Sequence, residues 1–168
     1  MSTVIAMTTA VERRRDPLAV RRILEALPDW FGDPDAIDNY VEAAAHPDFE
    51  SYAVTADGAT IAIALVHRHF PESAELHLIA VDPGSRGHGI GRSLVDRVAT
   101  VLSSDGCRYL SVHTVAESFA NEAYAQTRAF YLGTGFIPLE EHENLDWPGP
   151  SVIMVRALSA RKAHMDVR

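Results

Sequence analysis

Between Leu76 and Leu102 the chain passes from an apolar run into a tight turn, through three glycines set two apart, and out into a helical pattern. Leu76, Leu78, Ile79 and Val81 form the run, and Asp82-Pro83-Gly84 ends it with a strong turn signal. Gly87, Gly89 and Gly91 follow, and Ile90, Leu94, Val98, Val101 and Leu102 then fall on one stripe of a helix. Strand, glycine-rich turn and helix together make an anion site. Glycine lets the backbone approach a phosphate with its N–H groups turned outward, and the helix N-terminus adds partial positive charge. Arg86 and Arg92 flank the turn as partners for phosphate oxygens. Such a unit demands an α/β chain in which the turn lies at the carboxyl end of a central strand, where open sheets bind ligands.

Spacing decides which phosphate ligand is expected. A mononucleotide loop needs GxxxxGK[ST], and the only lysine in the chain is Lys162. A dinucleotide fingerprint needs GxGxxG, whereas residues 87–92 read GxGxGx, which disfavours an oxidoreductase. Arg86-Gly-His-Gly-Ile-Gly91 instead satisfies [Q/R]xxGx[G/A] at every fixed position, and so resembles the acyl-coenzyme A pyrophosphate loop of the GNAT family of N-acetyltransferases. Arg128-Ala-Phe-Tyr-Leu-Gly-Thr-Gly-Phe136 is similar to that family's FYxxxGF signature, and Glu75 stands where many members keep a glutamate. The resemblance spans residues 50–158 and implies a three-layer α/β fold. Its central sheet would be mixed and mostly antiparallel, of six or seven strands, with helices on both faces. It also implies acetyl-coenzyme A as acetyl donor, without a metal. The expected coenzyme contacts are the strand residues Ile79, Ala80 and Val81, the loop and first helical turn (Arg86, Gly87, His88, Gly89, Ile90, Gly91, Arg92 and Ser93) and Phe130.

Composition narrows the partners. The 168 residues suit one domain over 1–158, with 159–168 as a flexible tail. No apolar run approaches 18 residues, and Met1–Ala10 lacks a signal-peptide core, so a cytoplasmic protein is expected. The single cysteine, Cys107, excludes an internal disulfide and agrees with a reducing compartment. A net charge of −8 argues against nucleic acid. Between Arg22 and Arg68 there are nine acids and no Lys or Arg, and a second acidic window lies between Arg128 and Arg156 with Glu140, Glu141, Glu143 and Asp146. If both windows wall the acceptor side, as the resemblance implies, they attract a cationic amine; otherwise they are solvated faces of an acidic protein. Trp30 and Trp147 lie in these windows, and an aromatic beside carboxylates suits an organic cation. His67, His69 and His77 lack metal-site spacing.

The remaining elements follow from local signals. Thr3–Thr8 reads as a strand, Asp16-Pro17 and Asp33-Pro34 as helix starts, and Pro28 as a stop. Residues 50–56 and 60–67 around Asp57-Gly58 read as a hairpin, and Ser73–Val81 as the strand before the loop. The glycine-loop helix is expected over 89–104 with Gly106 as its cap, then a strand at Tyr109–Val115 and a helix over 121–132. Strands at 136–140 and 152–158, joined by a Pro/Gly loop over 144–150, close the sheet.

An ammonium must lose its proton before it can attack a thioester, and its ordinary pKa is ~10 for a lysine-type group. A carboxylate or imidazole is therefore required. Strand alternation sets Glu75, His77 and Ile79 on one face, so Glu75 is the candidate base and His77 the alternative. Tyr131, which the resemblance aims at the coenzyme sulfur, is the candidate acid for the departing thiolate. A backbone N–H from the strand before the loop would polarise the carbonyl. Trp30, His77 and His113 are the candidate acceptor contacts, and Asn121 stands near where many members hold the coenzyme with an asparagine. The leading expectation is a small-molecule or peptide amine N-acetyltransferase; the alternative is a non-catalytic acyl-coenzyme A module. Homodimers are common in the family, and nothing in these residues demands one.

Overall fold

The computed structural model describes residues 10–159. The expected strand at Thr3–Thr8 and all but the first residue of the expected tail lie outside the described residues. Seven strands form one mixed sheet in the order β1-β2-β3-β4-β5-β7-β6. The elements are β1 (Val11–Arg13), α1 (Pro17–Glu25), α2 (Pro34–Ala45), β2 (Phe49–Ala56), β3 (Ala59–Phe70) and β4 (Ser73–Val81). A 3-10 turn (Pro83–Ser85), α3 (Ile90–Ser104), β5 (Tyr109–Val115), α4 (Glu122–Gly133), β6 (Ile137–Glu143) and β7 (Pro150–Ala157) complete the chain. No helix among the described residues is long and apolar enough to cross a membrane. The chain divides into two compact units: one runs to His67 and takes in His77–Arg97, and the other combines Arg68–Leu76 with the chain from Val98 onward.

In the first unit, β1, β2 and β3 form an antiparallel meander. The β2–β3 turn is made by Asp57 and Gly58, both left-handed at φ 50° and 78°, which is what a two-residue hairpin asks of an Asp-Gly pair. Helix α1 starts where Asp16 accepts a hydrogen bond from the Ala19 amide at 3.0 Å, with Pro17 in the first turn. It buries Ala19, Val20, Ile23 and Leu24. Asp33 and Pro34 start α2 in the same way. The core joins Val20, Ile23 and Leu24 to Ile37, Ala44, Ile63, Leu65, Leu78 and Ala80. Ala62, Ala64 and Val66 alternate with Ile63 and Leu65 and are equally buried, so β3 is covered on both faces.

Asp16 has a second task, because its other carboxylate oxygen accepts from the buried Thr60 hydroxyl at 2.8 Å. Asp16→Ala should therefore lower stability by about 1–2 kcal/mol. Asp16→Asn, which keeps the capping oxygen, should lose less than half of that. Urea midpoints of the two variants would check the ranking.

In the second unit, Ser73–Glu75 pair in parallel with Tyr109–Ser111. β5 pairs with β7 over seven residue pairs, from Tyr109↔Ala157 to Val115↔Ser151. β6 forms the edge, and all seven of its residues are exposed. Asn121 caps α4 by accepting from the Tyr124 amide at 3.3 Å. Gly106 ends the α3 turn at φ 88°. The alternation expected along β4 is present: Ala74, Leu76, Leu78 and Ala80 are buried, while Glu75, His77, Ile79 and Val81 are half-buried.

Several boundaries differ from the sequence reading. β1 was not expected, since Val-Glu-Arg is too short and polar to announce a strand; the β2 edge recruits it. β6 starts one residue later, because Phe136 is a core side chain at 1% exposure. β6 also runs on to Glu143 and β7 begins at Pro150, since the long β6–β7 ladder outweighs the polar residues in it.

Candidate active site

The turn after β4 is held by its own side chains. The Asp82 carboxylate accepts from the Gly84 amide at 3.0 Å, and the Asp82 carbonyl from the Ser85 amide at 2.9 Å. The Asp82 amide donates to the Ile61 carbonyl at 2.8 Å, tying the turn to β3. Gly87 and Gly89 are left-handed, at φ 79° and 75°, and a Cβ on either would meet nothing within 4 Å. The surface they present is thus open, and only glycine gives it that shape without strain. Ile90 plugs the start of α3 into the core at 5% exposure, while Ser93 donates from its amide and hydroxyl to the Gly89 carbonyl at 3.0 and 3.1 Å. The first amides of α3 have no carbonyl one turn earlier to bond. An open glycine backbone ahead of a helix N-terminus fits a diphosphate, so these residues suit the pyrophosphate of a coenzyme.

Arg86 and Trp30 were expected to serve different ligands, phosphate and acceptor. The Arg86 guanidinium instead lies over the Trp30 indole, 4.3 Å from the ring centroid. His88 lies with Nδ1 3.3 Å from the Ser85 carbonyl, and Arg92 is exposed on the first turn of α3. His77 packs between two rings, with centroids 5.3 Å from Tyr40 and 4.9 Å from Phe49. Phe49 also stacks on His67, with centroids 4.9 Å apart.

The second unit gathers ionisable groups around Glu75. Its Oε1 lies 2.9 Å from His69 Nε2 and 3.9 Å from His113 Nε2. His113 Nδ1 is in turn 2.8 Å from Asp146 Oδ2, in the turn between β6 and β7. The Asp146 hydrogen bond and the Glu75 charge raise the His113 pKa above its ordinary value, against the opposing effect of burial. The sequence reading names Glu75 as candidate base and His113 as an acceptor contact, and places His69 and Asp146 in neither role. Neither has a motif spacing; they meet Glu75 and His113 through the β3–β4 hairpin and the β6–β7 turn.

Tyr131 is 5% exposed at the end of α4, edge-on to Phe136 with centroids 5.4 Å apart and 5.5 Å from Phe130. Its carbonyl accepts from the Phe136 amide at 3.0 Å and from the Thr134 amide and hydroxyl at 3.1 Å, so the backbone beneath the phenol is fixed. An open groove of about 630 Å³ also lies along α4, β6 and β7, bordered by Arg128, Leu132, Leu139, Glu140, Glu141 and Met154. Glu140 and Glu141 of the second acidic window border it, and the expected coenzyme contacts and candidate base and acid do not.

The first acidic window is less free than its composition suggests. Glu25 and Asp38 share Arg21 at 3.7 and 2.7 Å, Glu50 pairs with Arg13 at 2.8 Å, and Asp33 caps α2. Among the described residues no three His, Cys, Asp or Glu side chains are grouped to hold a metal ion.

Comparison with known proteins gives the geometry a context. The profile of the acetyltransferase (GNAT) family matches residues 19–131. A mycothiol acetyltransferase from Beutenbergia cavernae is 32% identical over 92 residues, which is 55% of this chain and 29% of that protein. The chain thus spans less than a third of the length of this curated relative. A GNAT-family acetyltransferase from Desulfovibrio desulfuricans superposes with a TM-score of 0.78 at 24% identity, over 90% of this chain and 100% of the other. A GNAT-family acetyltransferase from Elizabethkingia anophelis, with acetyl-CoA bound, gives a TM-score of 0.68 at 15% identity, over 90% and 99% of the two chains. These structural likenesses establish the fold.

Proposed function

The chain belongs to the acetyltransferase (GNAT) family, and from that membership we propose that it moves the acetyl group of acetyl-coenzyme A onto the primary amine of a small cationic molecule. The observation that carries the reading is the turn at residues 86–91, where left-handed Gly87 and Gly89 lead an open backbone into the N-terminus of α3. In this reading those amides and the exposed Arg86 and Arg92 hold the pyrophosphate, and backbone amides of Ile79–Val81 hold the thioester carbonyl as negative charge develops on its oxygen. Glu75 takes the proton from the attacking amine, and Tyr131 gives one to the departing thiolate. No covalent enzyme intermediate is needed, because a thioester is already activated. Cys107, buried and without a disulfide partner, agrees with a cytoplasmic setting.

A cationic acceptor is supported by the net charge of −8 and by the carboxylates about His113. The name of the Beutenbergia relative points to a small-molecule acceptor as well. Thiol release with acetyl-coenzyme A and a panel of amines tests the proposal; no turnover with any cationic amine would overturn it. Among acceptors of equal length, a dication should exceed a monocation about 10-fold in kcat/KM at low salt. The advantage should shrink several-fold at about 0.5 M salt, where screening reaches contact distance.

A further inference from the structure

Resting on the acetyl-transfer reading, we propose that Asp146 is a positioning residue: from the β6–β7 turn it orients His113 so that the imidazole relays the proton Glu75 takes from the acceptor amine. The carboxylate at 2.8 Å from Nδ1 favours a proton on that nitrogen, which leaves the Nε2 lone pair available on the side of Glu75. The Glu75 oxygen is 3.9 Å from Nε2, a separation that one water or a small ring rotation closes. Side-chain exposure is 14% at Glu75, 24% at His113 and 58% at Asp146, so the His113 ring itself reaches solvent.

The turn that carries Asp146 is built to hold still. Trp147 donates from Nε1 to the buried Ser151 hydroxyl at 3.1 Å and packs edge-on to Phe119 at 5.2 Å. The indole also covers Gly149 so closely that a Cβ there would clash with it. The Asn144 amide donates to the Gly149 carbonyl at 3.1 Å and closes the turn. These contacts fix the turn, and Asp146 is the residue it brings to His113.

The proton balance is complete. The amine N–H bond breaks as a Glu75 O–H bond forms; that bond breaks in turn as Nε2 of neutral His113 is protonated. The imidazolium then gives its Nε2 proton to solvent, and the neutral ring is restored with Nδ1 still protonated toward Asp146. The Asp146 hydrogen bond makes His113 the stronger base, which draws the proton from the Glu75 carboxyl toward Nε2. Among the described residues, the ionisable groups about this path include Glu75 from β4, Asp146 from the β6–β7 turn and His69 from the end of β3, whose Nε2 meets the same Glu75 oxygen at 2.9 Å. Ile153, the register partner of His113 on β7, brings no charge.

The relay needs neutral His113, and Asp146 raises the pKa of that ring, so removing Asp146 should move the acid limb of the rate profile to lower pH while lowering the plateau. The experiment measures kcat and both KM values between about pH 5.5 and 9 for the wild type, Asp146→Asn and His113→Gln. It is paired with an NMR titration of the His113 ring in the first two proteins. Asp146→Asn should lose about 10-fold in kcat with the KM for acetyl-coenzyme A unchanged. Its acid limb and its His113 titration should fall by the same displacement, and His113→Gln should lose the limb. Wild-type turnover with an Asp146→Asn variant of unchanged kcat and unchanged limb overturns the relay alone. An unmoved His113 titration also overturns it. Coenzyme binding without turnover on any amine overturns the acetyl-transfer reading, and the relay with it.

Discussion

Gly89→Ala should weaken acetyl-coenzyme A binding by at least about 10-fold, equal to about 1.4 kcal/mol, while leaving the protein folded. Two effects separate here. Alanine at φ 75° costs roughly 1–2 kcal/mol of backbone strain, because its Cβ crowds the following carbonyl. That cost falls on stability. The second effect falls on binding: the added methyl points into space that is open in the protein, with nothing within 4 Å, and under the proposed function a phosphate would enter that space to reach the amides. Gly106→Ala supplies the control. Gly106 has a similar φ of 88° and equally open surroundings, but it lies in the turn that ends α3. The two variants should lose similar amounts of thermal stability, and only Gly89→Ala should lose affinity. Calorimetric titration with the coenzyme measures the difference. Equal affinity in both variants would remove the loop from the binding site.

Much of this could be read from the chain because the responsible signals are local. Asp-Pro at 16–17 and 33–34, Asp-Gly at 57–58 and the glycines of the loop each fix a backbone shape within a few residues, and each is found where it was expected. The alternation of β4 fixed the side of Glu75 for the same reason, since pleating sends neighbours to opposite faces. What escaped is non-local. Val11–Arg13 is a strand only because β2 offers it an edge. Arg86 and Trp30 are 56 positions apart in sequence, and nothing in either segment announces that the guanidinium stacks on the indole. Asp146 looked like one acid among several in a charged window, yet its pairing with His113 spans 33 residues. Charge counting was misleading in the opposite sense for the first window, where arginines drawn from before it, Arg13 and Arg21, take up three of its acids.

Tyr131→Phe should reduce kcat about 100-fold and leave acetyl-coenzyme A affinity nearly unchanged. The substitution removes one hydroxyl and keeps the ring, so the packing against Phe130 and Phe136 survives. The substitution also leaves the backbone as it is, because the Tyr131 carbonyl still accepts from Thr134 and Phe136. If the side chain were only core, losing its hydroxyl would alter stability and leave turnover alone. If the phenol protonates the thiolate, its loss acts on the leaving group and so appears in kcat rather than in coenzyme binding. The remedy should then depend on that leaving group. An acetyl donor whose thiol is more acidic needs less help in departing and should narrow the gap between Tyr131→Phe and wild type. Steady-state kinetics with a donor of ordinary thiol pKa and one of lower thiol pKa tests this, and a variant within threefold of wild-type kcat on the ordinary donor would dismiss Tyr131 as the acid.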